Sequence, residues 1–197
     1  MITEFRGKYA FLSNFYPCAV EYEGLIFPTV EHAYQAAKTL NLGERLAIRN
    51  CETPGKAKRM GRAVTLHKNW NSIKLDVMLG LLRQKFGYPV LLGMLLATGN
   101  EHIQEGNDWG DRFWGVSGGV GENHLGRLLM QVRNELQAQH DVSNDDPCHD
   151  CDGVLQCKDC STYGLLICPN ACHGYNNETL CHEMVDEGDC PMEGESA

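Results

Sequence analysis

The run Phe27-Pro-Thr-Val-Glu-His-Ala-Tyr-Gln-Ala-Ala-Lys-Thr-Leu40 opens with a proline, follows it with a hydroxyl residue and continues in helix-forming residues. Pro28 fixes the entry, Thr29 can accept an orphan amide proton of a first helical turn, and the alanines favour helix. The pattern predicts a helix from about Val30. At about 100° per residue Val30, Ala33 and Ala37 share one stripe, with Tyr34 at its edge. Glu31, Gln35 and Lys38 form a second stripe at i, i+4 and i+7. From spacing alone this second stripe reads as a solvated face with a Glu/Lys pair. The alternative is a row of acid, amide and amine facing a ligand.

Upstream, Phe11-Leu-Ser-Asn-Phe-Tyr-Pro17 sets Ser13 and Asn14 among large apolar residues, where small polar side chains suit a ligand better than a core. Short strands are expected at Thr3–Arg6, Ala19–Tyr22 and Leu25–Phe27, the last two joined by a tight turn at Glu23-Gly24. Downstream, a short helix is expected over Gly43–Cys51, and Thr53-Pro54 opens another that Gly61 ends or bends. Its segment Gly55-Lys-Ala-Lys-Arg-Met-Gly-Arg62 is either solvated surface or a phosphate partner, since a guanidinium such as that of Arg62 fits phosphate bidentately. The apolar residues from Trp70 to Phe86 fall at helical spacing and read mostly as core. Pro89–Thr98 reads as a buried apolar helix, with Gly99 beyond its end.

Glycine is dense between Glu101 and Gly126, interleaved with Glu105, Asp108, Trp109, Asp111 and Trp114, a mixture suited to a pocket rim. Asn123 can cap a following helix to about Gln139, whose positive end would suit an anion.

Taken together, Leu12-Ser-Asn-Phe15 and Phe27-Pro-Thr-Val-Glu-His-Ala-Tyr-Gln-Ala-Ala-Lys38 resemble the signature of the NADAR family, the YbiA-like N-glycosidases. Further matches follow in the family's order. They are Gly61-Arg62, Trp70 with Lys74 and Met78, Lys85-Phe86, Glu105-Gly-Asn107 with Asp111, Trp114-Gly115, and Gly121-x-Asn123-x-x-Gly126-x-x-Leu129-Met130-x-x-Arg133. The resemblance covers about residues 1–140 and implies an α+β, helix-dominated, YbiA-like single domain with a small N-terminal sheet.

The resemblance also implies cleavage of an N-glycosidic bond, either in a phosphorylated ribosylamine intermediate of riboflavin synthesis or between ADP-ribose and guanine in nucleic acid. The spacing from Glu105 to Asp111 is longer than in riboflavin-linked members, so both substrates stay open. A lysine amine can trap the opened sugar C1 as a Schiff base once its pKa is lowered, and carboxylates must move the protons. By matching position Lys38 is the expected nucleophile, Glu31 the acid/base and Asp111 a second carboxylate; Lys74 and Lys85 match the family as well. Ser13, Asn14, Gln35, Arg62, Trp70, Glu105, Trp114 and Asn123 are the expected substrate contacts, with Trp70, Trp109 or Trp114 as the stacking surface. No catalytic cofactor is expected. Two further readings are a non-catalytic ADP-ribose or nucleotide reader, which could dispense with Glu31 and Lys38, and a scaffold whose function lies in the tail.

With 197 residues, 43% hydrophobic, the chain can bury one proper core and carry an appendage. Met1-Ile-Thr-Glu-Phe-Arg6 has no apolar leader and no run reaches the ~18 apolar residues of a membrane span, so a soluble, cytoplasmic protein is expected. Net charge divides sharply: residues 1–140 hold 16 Lys and Arg against 13 Asp and Glu, net +3, whereas 141–197 hold one Lys against 13 acids, net −12. Cysteine divides at the same place. The boundary is read as a linker over 141–147, followed by an acidic Cys-rich extension over 148–197.

That extension carries Cys148, Cys151, Cys157, Cys160, Cys168, Cys172, Cys181 and Cys190, with His182 nearby. Without a secretory leader, paired thiolates point to structural zinc rather than disulfides. Cys151 and Cys168 are separated by 16 residues and Cys160 and Cys181 by 20, which suits two interleaved sites with Cys190 or His182 as last ligand. So acidic a segment does not grip nucleic acid by phosphate contacts and is expected to stabilise or to face an unidentified protein partner. Elemental analysis of the reduced protein should return roughly one or two zinc equivalents, all lost on truncation at residue 147, and chelation should leave residues 1–140 folded. Metal-free reduced protein would remove the zinc reading.

Overall fold

Chain reversal at Glu23-Gly24 needs two left-handed residues, and both take them, with φ of 46° and 78°. The antiparallel hairpin this turn closes pairs β1 (Val20–Tyr22) with β2 (Leu25–Phe27) in the register Val20↔Phe27 and Tyr22↔Leu25. The computed structural model describes residues 1–145. Thr3–Arg6 does not form the expected strand. Ile2 instead makes one parallel bridge to Ile103, its amide donating to the His102 carbonyl, before the chain turns into a 3₁₀ segment at Gly7–Leu12.

Among the described residues six α-helices follow: α1 (Val30–Ala36), α2 (Leu42–Arg49), α3 (Pro54–Met60), α4 (Trp70–Phe86), α5 (Pro89–Leu96) and α6 (His124–Asp145). The Thr29 hydroxyl caps α1 by accepting from the His32 amide, and the Thr53 hydroxyl caps α3 in the same way. α1 is the hub, packing on α2, α3, α4 and both strands. All seven of its residues are buried, so the face carrying Glu31 and Gln35 is not solvated. His32 is held from both ring nitrogens, Nδ1 by the Thr29 hydroxyl at 2.8 Å and Nε2 by the Cys51 carbonyl at 3.1 Å. Phe27, Val30, Leu82 and Phe86 lose all exposure around this hub, each contributing about 1.5–3 kcal/mol.

α5 departs from its expected burial: Leu91 and Leu95 are buried while Val90 is 60% exposed. α4 and the 3₁₀ segment are its main partners, and Leu92, Met94 and Leu96 are half-buried. α6 runs past Gln139 to Asp145, into the stretch read as a linker. One compact unit takes in Met1–Leu136, and the last residues of α6 fall outside it. The eight cysteines from Cys148 to Cys190 lie outside the described residues. Among those described, no His, Cys, Asp and Glu cluster could hold a metal ion, and no helix is long and apolar enough to cross a membrane.

The glycines of 101–126 bring backbone against backbone. A Cβ on Gly106 would lie 2.2 Å from the Thr3 carbonyl oxygen, one on Gly115 2.2 Å from that of Glu105, and one on Gly126 2.2 Å from that of Ile103. Gly126→Ala should therefore destabilise by about 1–3 kcal/mol in urea denaturation. Gly93→Ala, inside α5 with nothing within 4 Å of the new methyl, should instead stabilise by about 0.5–1 kcal/mol.

Candidate active site

Beside α1 the packing leaves a cleft of ≈ 330 Å³. α1 contributes Glu31, Tyr34 and Gln35, and Lys38 follows just beyond the helix end. Lys58 of α3 and Arg62 come from the basic segment, Trp70, Lys74 and Met78 from α4, Asn14 from the turn after the 3₁₀ segment, and Glu105, Asp111, Phe113 and Trp114 from the glycine-rich loop. Asn14, Glu31, Gln35, Lys38, Arg62, Trp70, Glu105, Asp111 and Trp114, expected from sequence, thus converge. Sequence reasoning missed Tyr34, Lys58 and Phe113 as lining residues and read Met78 with the core of its helix. Lys58 stood in a segment already marked as basic, and only the packing of α3 against α1 singles it out.

Glu31 is 5% exposed, its Oε1 accepting from Gln35 Nε2 at 2.8 Å. Burial raises its carboxyl above the ordinary range; the Gln35 hydrogen bond, then Lys58 and Lys38, pull it back, and Asp111 adds to the rise. For Glu105 burial, with Asp111 beside it, pushes the carboxyl up to about 7, against the pull of Lys58. Burial also draws the Lys38 amine down toward its free base, opposed by Glu31 and helped by Lys58 and Arg62. Lys38 Nζ donates to the Gly61 carbonyl at 3.3 Å. Among the described residues the buried side-chain atoms without a hydrogen-bond partner are Asn14 Oδ1, Gln35 Oε1 and Glu105 Oε2, all on residues that line this cleft.

Asp111 organises its own loop, Oδ1 accepting from the amides of Phe113 (3.1 Å) and Trp114 (2.9 Å). Trp114 and Trp70 flank Tyr34, with ring centroids 5.3 Å and 5.1 Å away. Lys74 Nζ sits 3.8 Å from the Phe113 ring centroid.

Two expected contacts lie elsewhere. Ser13 does not line the cleft: its hydroxyl accepts from the Phe15 amide, and its carbonyl accepts from Lys85 Nζ at 2.7 Å. Asn123, at φ 53°, ties two strands of chain together, accepting from the Glu105 amide at 3.0 Å and donating to the Ile103 carbonyl at 2.9 Å. The start of α6 is closed to an anion as well, because the amides of Asn123, His124 and Leu125 donate to the carbonyls of Gly115, Phe113 and Trp114. Lys85 is fully buried in α4 and is absent from the cleft lining. Burial brings its amine down to about 7 while the amine anchors the Ser13 turn.

Carboxyls raised by burial and an amine drawn toward its free base, gathered in one cleft with cations beside them, mark this as the candidate active site. The chain belongs to the NADAR domain family, whose model matches residues 3–137. It is 41% identical over 132 residues to the N-glycosidase YbiA of Escherichia coli, covering 65% of this chain and 82% of that protein. It is 38% identical over 134 residues to a riboflavin biosynthesis protein of Vibrio vulnificus, covering 66% of this chain but only 36% of that longer protein. The NMR structure of Escherichia coli YbiA superposes with a TM-score of 0.63 at 38% identity, over 71% of this chain and 87% of that one.

Glu105 gives a measurable signature. Its folded pKa of about 7 stands above the ordinary 4.5, so the folded state binds the proton more tightly. The carboxyl costs nothing below the unfolded value, and its burial penalty is complete only above the folded one. As pH rises from about 4.5 to about 7.5, the urea midpoint of wild type should fall relative to Glu105→Gln; parallel curves would contradict the shift.

Proposed function

We propose that this cleft hydrolyses the N-glycosidic bond of a ribosyl group that carries phosphate, with Lys38 as nucleophile. The observation that carries the reading is the meeting in one cleft of the Lys38 amine, the buried carboxyls of Glu31 and Glu105, and three buried acceptors without partners on Asn14, Gln35 and Glu105. Such acceptors call for a ligand rich in hydrogen-bond donors, as ribose hydroxyls and an amino-substituted base are. Arg62 and Lys58 supply the cations for its phosphate. The relatives' names fit this class, one group being N-glycosidases and another riboflavin biosynthesis proteins.

In the reaction so assigned, a carboxylic acid protonates the ribose ring oxygen and the furanose opens to an imine at C1. Glu105, whose carboxyl burial pushes up to about 7, and Glu31 are the acids proposed for this step. The free amine of Lys38 adds to C1, and the base leaves as its neutral amine after taking a proton from a carboxyl. Water then adds to the lysine imine, releasing the sugar aldehyde and the amine. The net reaction consumes one water and needs no redox partner. A non-catalytic reader would require only the cations and acceptors, and the retained amine and buried acids favour the enzyme.

Lys38→Arg keeps charge and reach but forms no imine at physiological pH, so it should bind substrate and lose turnover. Glu31→Gln should slow turnover on the order of a hundredfold. Borohydride added during turnover should leave the substrate sugar on Lys38 in a peptide map, with phosphoribosylaminopyrimidine and guanine-ADP-ribosylated DNA tried in parallel. Near wild-type turnover of Lys38→Arg, or an adduct on Lys58, Lys74 or Lys85, would overturn the assignment of the nucleophile.

A further inference from the structure

Glu31 and Lys38 stand on different footings. Glu31 belongs to α1, whereas α1 ends at Ala36 with Ala37 as its cap, so Lys38 lies past the helix. Its amide still reaches the Gln35 carbonyl, at a long 3.4 Å. Helix geometry alone therefore does not set where the amine sits relative to the acid. Beyond a helix end the carbonyls must find donors elsewhere, and here each one does. The Lys38 carbonyl accepts from the His67 amide at 2.7 Å, and the Thr39 carbonyl accepts from Arg45 Nε at 2.7 Å. Thr39 is fully buried; its hydroxyl donates to Glu44, whose carboxylate also accepts from the Thr65 amide at 3.2 Å.

Arg45 is the centre of this clamp. It stands on α2, buried, and its guanidinium serves three partners in one plane. Nε donates to the Thr39 carbonyl, Nη1 donates to the Glu23 carboxylate, and the group lies 5.5 Å from the Tyr22 ring centroid. Glu23 is the left-handed residue of the hairpin turn, so one side chain joins the hairpin to the segment that carries the amine. The Arg45 hydrogen bond holds the Glu23 carboxyl below its ordinary range, which keeps the pair charged. None of Glu23, Glu44 and Arg45 lines the cleft. A lysine at 45 has one point-like amine and lacks the planar fork that meets both acceptors while covering Tyr22.

We infer that Arg45 is a positioning residue for the reaction: through the Thr39 carbonyl it fixes the chain just beyond α1 and so holds the Lys38 amine beside Glu31. The inference rests on the reading of Lys38 as nucleophile and adds what aligns it. A displacement of a reacting group by about 1 Å costs on the order of a hundredfold in rate, so a clamp outside the cleft governs the chemistry inside it.

Reductive labelling of the full chain with ribose 5-phosphate and cyanoborohydride tests this. An amine condenses with the C1 aldehyde, water leaves, and hydride reduces the imine, which marks that lysine in a peptide map. In wild type Lys38 should be labelled faster than the exposed Lys56 and Lys68. Arg45→Lys should slow Lys38 about tenfold, leave Lys56 and Lys68 unchanged, and move the pH dependence of Lys38 labelling upward as the amine turns toward water. Glu23→Asn keeps a residue that tolerates the left-handed turn but gives up the ion pair, and should act in the same direction; it decides the matter alone if Arg45→Lys does not fold. Arg83→Lys, which disturbs the ion pair with Glu135, should lower the urea midpoint without slowing Lys38. Unchanged Lys38 labelling in the Arg45 and Glu23 variants, or equal slowing by Arg83→Lys, would overturn the positioning role and leave the nucleophile standing. Wild-type Lys38 labelled no faster than Lys56 and Lys68 would overturn both.

Discussion

The cleft depends on keeping a carboxyl inside the protein at Glu31. An ionised carboxylate removed from water costs several kcal/mol unless it is hydrogen-bonded and paired. Gln35, one turn along α1, donates to it at 2.8 Å. Gln35 is in turn pressed against Gly61: a Cβ there would lie 2.0 Å from Gln35 Oε1. The glycine lets the end of α3 close on α1, and that approach delivers Lys58, three residues before Gly61, and Arg62, just after it, to the cleft lining. Acid, amide, glycine and cations form one constraint.

The lysines illustrate how burial sorts chemically identical side chains. Lys85 lies deepest and is spent on the Ser13 carbonyl, fixing the turn from which Asn14 reaches the cleft. Lys74 stands over the Phe113 ring. Lys38 combines partial burial with two neighbouring cations, which together outweigh the opposing pull of Glu31, so its amine is drawn toward the free base while it still lines the cleft. Depression of a pKa by burial alone does not identify a nucleophile, because the same burial that neutralises Lys85 keeps it out of the cleft.

The family match ends at residue 137, close to where positive charge gives way to a strongly acidic, cysteine-rich sequence. Residues 3–137 are the part that the family model describes, and the cysteine-rich sequence lies beyond it.

Local patterns were legible from sequence alone. Thr29 and Thr53 cap helices because a hydroxyl before an Ala- or Pro-led run has no better partner than the first-turn amides, and the Glu23-Gly24 turn and the span of α4 follow from equally local rules. Motifs in family order also brought most of the cleft residues into view before any coordinates. What the tertiary structure alone decided is which polar residues face the cleft. Periodicity places Glu31 and Gln35 on one helix face, but whether that face meets water or protein is set by what packs there, and residues of α3, α4 and the glycine-rich loop gather beside it to form the cleft. Glycine density in 101–126 reads as a pocket rim, whereas the glycines admit neighbouring backbone, and Asn123 bridges chain segments in place of serving an anion. Lys58 and Tyr34 became site residues only through contacts between segments far apart in sequence, and residue spacing carries no record of such contacts.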